Sequence, residues 1–406
     1  MMGGRRRLAI CYAAPGLNLL PSAGPTRNVL SVADALSEWA DVTVAFRTIL
    51  EPVDTTRFRI IAMDTLPPQT RGYNDDNGTR GRYPLRHLTY CRTLWRFARA
   101  EASAFDVALE KGWRLSGLLA SAFRRAGTPA AVVENDVRLW TEPLNDVAGF
   151  SKYLLHLAAE AVAASSCRRL PMVIAETDEL KARLVAHRHI SPDRIQVIGL
   201  GVDHAMFRAT DQASARELLG IPTDRVILLY VGAMDEYHDL EPVIDALAAL
   251  GHASVHLHVV GDGEYRSRYE AQAARAQIAC RFHGRVPHAI VPKYIAAADL
   301  CIAPYRTSAF HDGQVTFSTL KIPEYMACGR AVVGVPGPAI RRLIEEGVNG
   351  FVLPNDVRSW TSFLRELPGR DRLARMGAAA AESVTSIAWT NTARQYLEVC
   401  ERLASC

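Results

Sequence analysis

Ser318, Thr319, Lys321 and Glu324 stand together in a stretch that reads APYRTSAFHDGQVTFSTLKIPEYMACGRAVVGV from Ala303. Two hydroxyls, an ammonium and a carboxylate gather there at a helix start after a strand. That is the chemistry needed to hold a ribose diphosphate. A helix N-terminus presents unpaired N–H groups and the positive end of the helix dipole, so it holds phosphate well. Ser318 and Thr319 are expected to cap this helix. Pro323 cannot sit deep in a helix, which places it near the start. Lys321 then lies at the same terminus as a point charge for a diphosphate. Glu324 can accept two hydrogen bonds from vicinal hydroxyls, as a carboxylate does when gripping a ribose. The competing reading of Lys321 and Glu324 is a solvated surface pair.

Other polar groups sit where strands end. Glu134-Asn-Asp136 follows an apolar strand, and strand ends are where open α/β sheets bind ligands. A carboxylate or amide there can orient a hydroxyl or steady positive charge. Glu134, Asn135 and Asp136 are therefore the catalytic-wall candidates. Glu110-Lys111 ends another strand and reads as structural. The loop GLNLLPSAGPTR carries Gly16, Gly24 and Arg27; Gly24 can let the backbone approach a phosphate, and Gly16 reads as a tight turn. Asp75-Asp76 lies in a Gly/Asn loop and reads as solvated, so no metal is expected. The glycines of GDGEYRSRYE (261–270) read as mainly structural, because a lone GxG is weak evidence for phosphate.

The elements that must position these groups alternate strand and helix throughout. Strands are expected at Leu8–Tyr12, Asp41–Phe46, Phe58–Ala62, Val107–Leu109, Ala131–Val133, Met172–Ala175 and Ile195–Ile198. A polar stretch, Arg208–Ala215, reads as linker. Strands resume at Val226–Val231, Val255–Val260, Cys280–His283, Leu300–Ala303 and Ala331–Val335. A last helix near 388–404 shows Trp389, Ala393, Tyr396 and Leu397 on one apolar face. With 406 residues, two α/β domains are expected: 1–200, with 388–406 crossing back to it, and 201–387.

A net charge of +4 over this length is weak and does not suggest a nucleic-acid protein, which would show a dense basic face. The eight cysteines show no metal spacing and read as reduced thiols, which fits the cytosol. MMGGRRRLAICYAAPG lacks an adequate signal-peptide core, and no apolar run approaches a membrane span. Residues 84–99 mix aromatics with arginines. Packing on the domain core and contact with the inner face of an anionic membrane are the two readings of that helix.

The 303–354 stretch resembles the nucleotide-sugar site of the family 4 (group 1) retaining glycosyltransferases, whose relatives carry PYR…SPLKxxEYMACGxPVV…IEDGxNGxLVP. The matches include Pro304, Tyr305, Arg306, Ser318, Leu320, Lys321, Glu324–Gly329, Glu345, Gly347, Asn349 and Gly350. By that resemblance Glu324 binds the ribose, and Ser318, Thr319 and Lys321 the diphosphate. Relatives have a further glutamate where Thr316 stands, although a subset lacks it. His311, Asp312, Gly313 and Gln314 lie in the loop that touches the sugar. VGAMDEYHDLEPVIDALAAL resembles VGRL…KGVDLLLEAL, with Ala233 and His238 in the places of arginine and lysine. His238 as a substitute for the lysine and His238 as a surface histidine at a helix start are the two readings, and Arg306 is the candidate for compensating charge. FHGRV resembles the FxGxV loop that reads the base, which makes Gly284, Arg285 and Val286 base contacts without separating uracil from guanine.

The resemblance implies the GT-B fold: two Rossmann-like, doubly wound domains facing across a cleft. It implies transfer of a sugar from a UDP- or GDP-sugar to a hydroxyl acceptor (a glycan, a lipid-linked sugar or a small molecule), with retention and without a metal or other cofactor. A role in bacterial polysaccharide or glycoconjugate synthesis goes with it. A non-catalytic nucleotide-sugar-binding partner and a GT-B epimerase are the alternatives.

Overall fold

Near-continuous apolar runs such as VILLYV and AAVVE are what parallel strands look like when both faces of a sheet are covered. The computed structural model describes residues 6–64, 83–137, 147–251, 254–310, 313, 315 and 317–405. Asp75, Asp76, His311, Asp312, Gln314 and Thr316 lie outside them. The chain divides into two compact units, Met1–Leu200 with Trp389–Cys406, and Gly201–Ala388.

In the first unit the strands are β1 (Ala9–Ala14), β2 (Asp41–Phe46), β3 (Arg59–Ala62), β4 (Val107–Lys111), β5 (Ala130–Glu134), β6 (Val173–Ala175) and β7 (Ile195–Val197). They form one parallel sheet ordered β3-β2-β1-β4-β5-β6-β7. The helix Trp389–Ala404 buries Trp389, Ala393, Tyr396 and Cys400 and packs on the helix Gly24–Leu36. In Tyr83–Glu101, Tyr90, Leu94 and Ala98 are buried in the core of this unit at four-residue spacing. That is the packed reading of the 84–99 helix.

The second unit holds β8 (Val226–Val231), β9 (Val255–Val260), β10 (Cys280–Gly284), β11 (Leu300–Ala303), β12 (Ala331–Gly334) and β13 (Gly350–Val352), ordered β10-β9-β8-β11-β12-β13. Side-chain alternation splits its core. Ile227, Leu229 and Cys301 pack with Ile322, Tyr325 and Met326 on one face. Leu228, Tyr230 and Ile302 pack with Val243, Ile244 and Trp360 on the other. Two features depart from expectation. The edge strand β13 is additional, too short to show as an apolar run. The polar stretch 208–215 opens the helix Gln212–Leu219, capped by Asp211, whose carboxylate accepts the Ser214 N–H at 2.7 Å.

The order reverses between β8 and β11, so their carboxyl ends diverge into a crevice, the switch point of an open α/β sheet. Glycines let the loops close up beside it. Gly261 has φ +132°, and a Cβ there would overlap the Gly232 carbonyl. Gly263 is pressed in the same way on Met234. Gly261→Ala should therefore destabilise this unit by about 1–3 kcal/mol. A thermal midpoint matching the wild type would show that the loop relaxes freely.

Candidate functional site

Two loops leave the sheet at the β8/β11 switch point and are stitched together. His238 pairs with Tyr305 in an antiparallel bridge. The Asp239 N–H donates to the Pro304 carbonyl at 2.8 Å, and the Arg306 N–H to the Tyr237 carbonyl at 2.9 Å. The helix Lys321–Ala327 is tied to the end of β8 by Tyr325, whose hydroxyl accepts the Val231 N–H at 2.7 Å and donates to the Val231 carbonyl at 3.0 Å.

This arrangement builds a cage around Lys321. Its Nζ lies 4.6 Å from the Tyr230 ring centroid and 5.0 Å from that of Tyr305. The Tyr230 hydroxyl donates to the Ala233 carbonyl and turns its oxygen toward Nζ at 3.3 Å. Gly232 makes the room, since a Cβ there would come within 2.8 Å of Nζ. Among the described residues no carboxylate lies within ion-pair distance of Lys321. Asp235 is already held by His238 Nδ1 at 2.7 Å and by the Tyr237 N–H at 3.0 Å. Burial pulls the Lys321 ammonium down to about 7, with Asp235 and Glu324 only partly offsetting it.

His238 does not carry the charge expected of it. Burial, with Lys321 nearby, pulls its pKa down to about 4 against the opposing pull of Asp235. Near neutral pH it is a neutral imidazole whose Nδ1 faces Asp235, and Ala233 adds no cation. The compensating guanidinium of Arg306 lies 3.5 Å from Asp239 and 5.6 Å from the Tyr265 ring. Its Nε and Nη2 are buried without a hydrogen-bond partner.

The expected caps also differ. The helix begins after Leu320 with no side-chain cap. Thr319 is buried, and its hydroxyl is 2.6 Å from that of Tyr305, so it braces the cage wall. Ser318 and Glu324 are half-buried, Glu324 in the first turn. Gly284 ends β10 at φ +69° and accepts the Gly261 N–H at 2.8 Å. Arg285 after it is exposed and Val286 half-buried.

In the first unit, Gly24 is the exposed first residue of its helix, with open space where a Cβ would be. Asn135 is half-buried and Asp136 exposed. Glu134 departs from its expected role as a wall group. It is buried, and its carboxylate meets Arg188 Nη1 at 2.5 Å, both side chains being 3% exposed or less. Arg188 also reaches Glu160 at 3.2 Å. Burial opposes the Arg188 charge, but Glu134 and Glu160 outweigh it and hold the guanidinium protonated. The spacing Leu180, Leu184, Arg188 on one buried helix face was the signal for this partner. Glu110 and Lys111 are structural. Glu110 accepts N–H groups from Trp113, Gly117 and Ala120, and Lys111 pairs with Glu176 at 2.5 Å.

Residues 225–368 match the family model described as glycosyl transferases group 1, and residues 24–206 that of glycosyltransferase family 4. The chain belongs to the group 1 glycosyltransferases of family 4. Over 253 residues it is 28% identical to a D-inositol 3-phosphate glycosyltransferase of Nocardioides, covering 57% of this chain and 53% of that protein. The chain thus spans about half the length of the curated relatives it matches. Sucrose-phosphate synthase from Thermosynechococcus elongatus superposes with a TM-score of 0.77 at 18% identity, over 98% of this chain and 100% of that one. Anabaena HepE in complex with UDP-glucose gives 0.73 at 17% identity, over 98% and 100%. These likenesses establish the GT-B fold for this family 4 member. Among its described residues no helix is long and apolar enough to cross a membrane.

Proposed function

We propose that the chain is a retaining glycosyltransferase that moves a sugar from a UDP- or GDP-sugar to a hydroxyl acceptor. The observation that carries this is a half-buried ammonium, walled by the Tyr230 and Tyr305 rings at the switch point, with no carboxylate in ion-pair distance among the described residues. A diphosphate supplies the missing charge. As the sugar leaves, negative charge grows on the departing phosphate, and Lys321 is placed to stabilise it. The Arg306 guanidinium, 3.5 Å from Asp239, offers a second contact, and Glu324, in the first turn, takes the ribose hydroxyls. Ser318 and the Gly284–Val286 loop remain in the reading as phosphate and base contacts, and Gly24 as a backbone approach. Asn135 and Asp136 are the wall groups for the acceptor. The UDP-glucose bound to Anabaena HepE favours a uridine donor. The curated relatives are named for D-inositol 3-phosphate, which makes a phosphorylated polyol the first acceptor to assay, beside glycan and lipid-linked acceptors in polysaccharide assembly.

The test is calorimetric titration with UDP, GDP and their sugars, followed by donor turnover with and without acceptor. Acceptor-dependent turnover supports transfer. Turnover without acceptor points to the epimerase reading, and binding without turnover to a non-catalytic partner. Glu324→Ala should weaken nucleotide binding at least about tenfold, since a charged hydrogen bond is worth about 1.5–3 kcal/mol. Unchanged affinity for UDP and GDP would remove Glu324 from the site.

A further inference from the structure

Tyr237 is the only aromatic among the large exposed hydrophobic side chains described in the second unit, at 37% exposure. It sits one residue before His238, on the loop stitched to the end of β11. Its ring contacts Phe310, with centroids 5.8 Å apart and planes tilted by 37°. Phe310 rests on Phe317 at 5.6 Å, and Phe317 on Tyr305 at 5.4 Å. Tyr305 in turn flanks Lys321. A run of rings therefore leads from the wall of the lysine cage out to a solvent-facing tyrosine.

We infer that the Tyr237–Phe310 pair is the platform for the transferred sugar, stacking on the C–H face of a pyranose whose diphosphate is held at Lys321. The inference rests on the nucleotide-sugar reading above and adds the group that selects the sugar. A pyranose has an apolar face of C–H bonds and an edge of hydroxyls. A flat ring covers the face without desolvating a polar group, and a phenol hydroxyl at its rim can exchange hydrogen bonds with the edge. The Tyr237 backbone is held independently of its ring, by the N–H to Asp235 at 3.0 Å and the carbonyl to Arg306 at 2.9 Å. Removing the ring therefore leaves these two backbone bonds in place.

That separation makes the idea testable on the full chain. Calorimetric titration of wild type, Tyr237→Ala and Tyr237→Phe would use UDP, UDP-glucose, UDP-N-acetylglucosamine, GDP and GDP-mannose. For the sugar nucleotide that wild type binds best, Tyr237→Ala should lose about three- to tenfold in affinity. Its affinity for the free nucleoside diphosphate should stay within about twofold. Tyr237→Phe should retain most of the sugar-dependent part, and Phe310→Ala should reproduce the pattern in weaker form. An equal loss for nucleotide and sugar nucleotide would assign the ring to the base or the loop and overturn the inference. So would no loss at all. If wild type bound none of the five, the nucleotide-sugar reading would fail and take this inference with it.

Discussion

Lys321→Met should lower turnover about a hundredfold or more, the scale of losing one preorganised group that stabilises developing charge. The physical reason is the cage. A nearly isosteric apolar side chain keeps the packing between Tyr230 and Tyr305, so the loss reports charge alone. The wild type should also show a proton signature. In the free protein Lys321 titrates near 7, far below an ordinary lysine, because burial disfavours its charge. A bound diphosphate favours the charged form and raises that value. Binding of UDP or GDP at pH 8 should therefore take up protons, visible as a binding enthalpy that changes with the ionisation enthalpy of the buffer. Affinity should be greatest below about 7 and fall as pH rises, approaching tenfold per unit until the bound-state value is passed. For folding the sign is opposite. The folded pKa lies below the unfolded one, so the penalty of burying Lys321 is full below about 7 and fades toward the unfolded lysine value. Buffer-independent enthalpies in the wild type would show that Lys321 is already charged before the nucleotide arrives.

Arg188→Ala should destabilise the first unit by about 3–5 kcal/mol, because it strands the Glu134 carboxylate in the core without its partner. For a unit of this size that is a fall in melting temperature on the order of 10 °C. Glu134→Leu combined with Arg188→Met should recover most of the loss, since two apolar groups leave no buried charge behind. Neither change should alter nucleotide affinity, as neither residue is among the proposed nucleotide contacts. Thermal unfolding followed by circular dichroism decides it: wild-type melting in Arg188→Ala would mean that water reaches Glu134. A stable Arg188→Ala protein that had lost turnover would return the pair to catalysis.

Much of this protein can be read along the chain. Strands such as VILLYV and AAVVE announce themselves because a sheet covered on both faces needs unbroken apolar runs. Lys321, Pro323 and Glu324 mark a helix start because proline and spacing are local constraints. The edge strand β13 escapes, since three residues around Gly350 carry no periodic signal.

What the sequence by itself determined is the list of chemical groups and the order of the elements that carry them, which follow from propensity and periodicity. Only the tertiary structure decided what state those groups are in. Glu134 is a wall candidate by position and a buried ion pair by contact, because Arg188 arrives from a helix more than fifty residues on. His238 is a lysine substitute by alignment and a neutral imidazole in place, because burial and the nearby Lys321 outweigh Asp235. Thr319 is a cap by type and a brace by contact. Lys321 keeps its identity but gains its meaning from two tyrosines that the chain brings together across the switch point. Burial, dielectric and partner are properties of what surrounds a residue, and distant segments bring most of those surroundings.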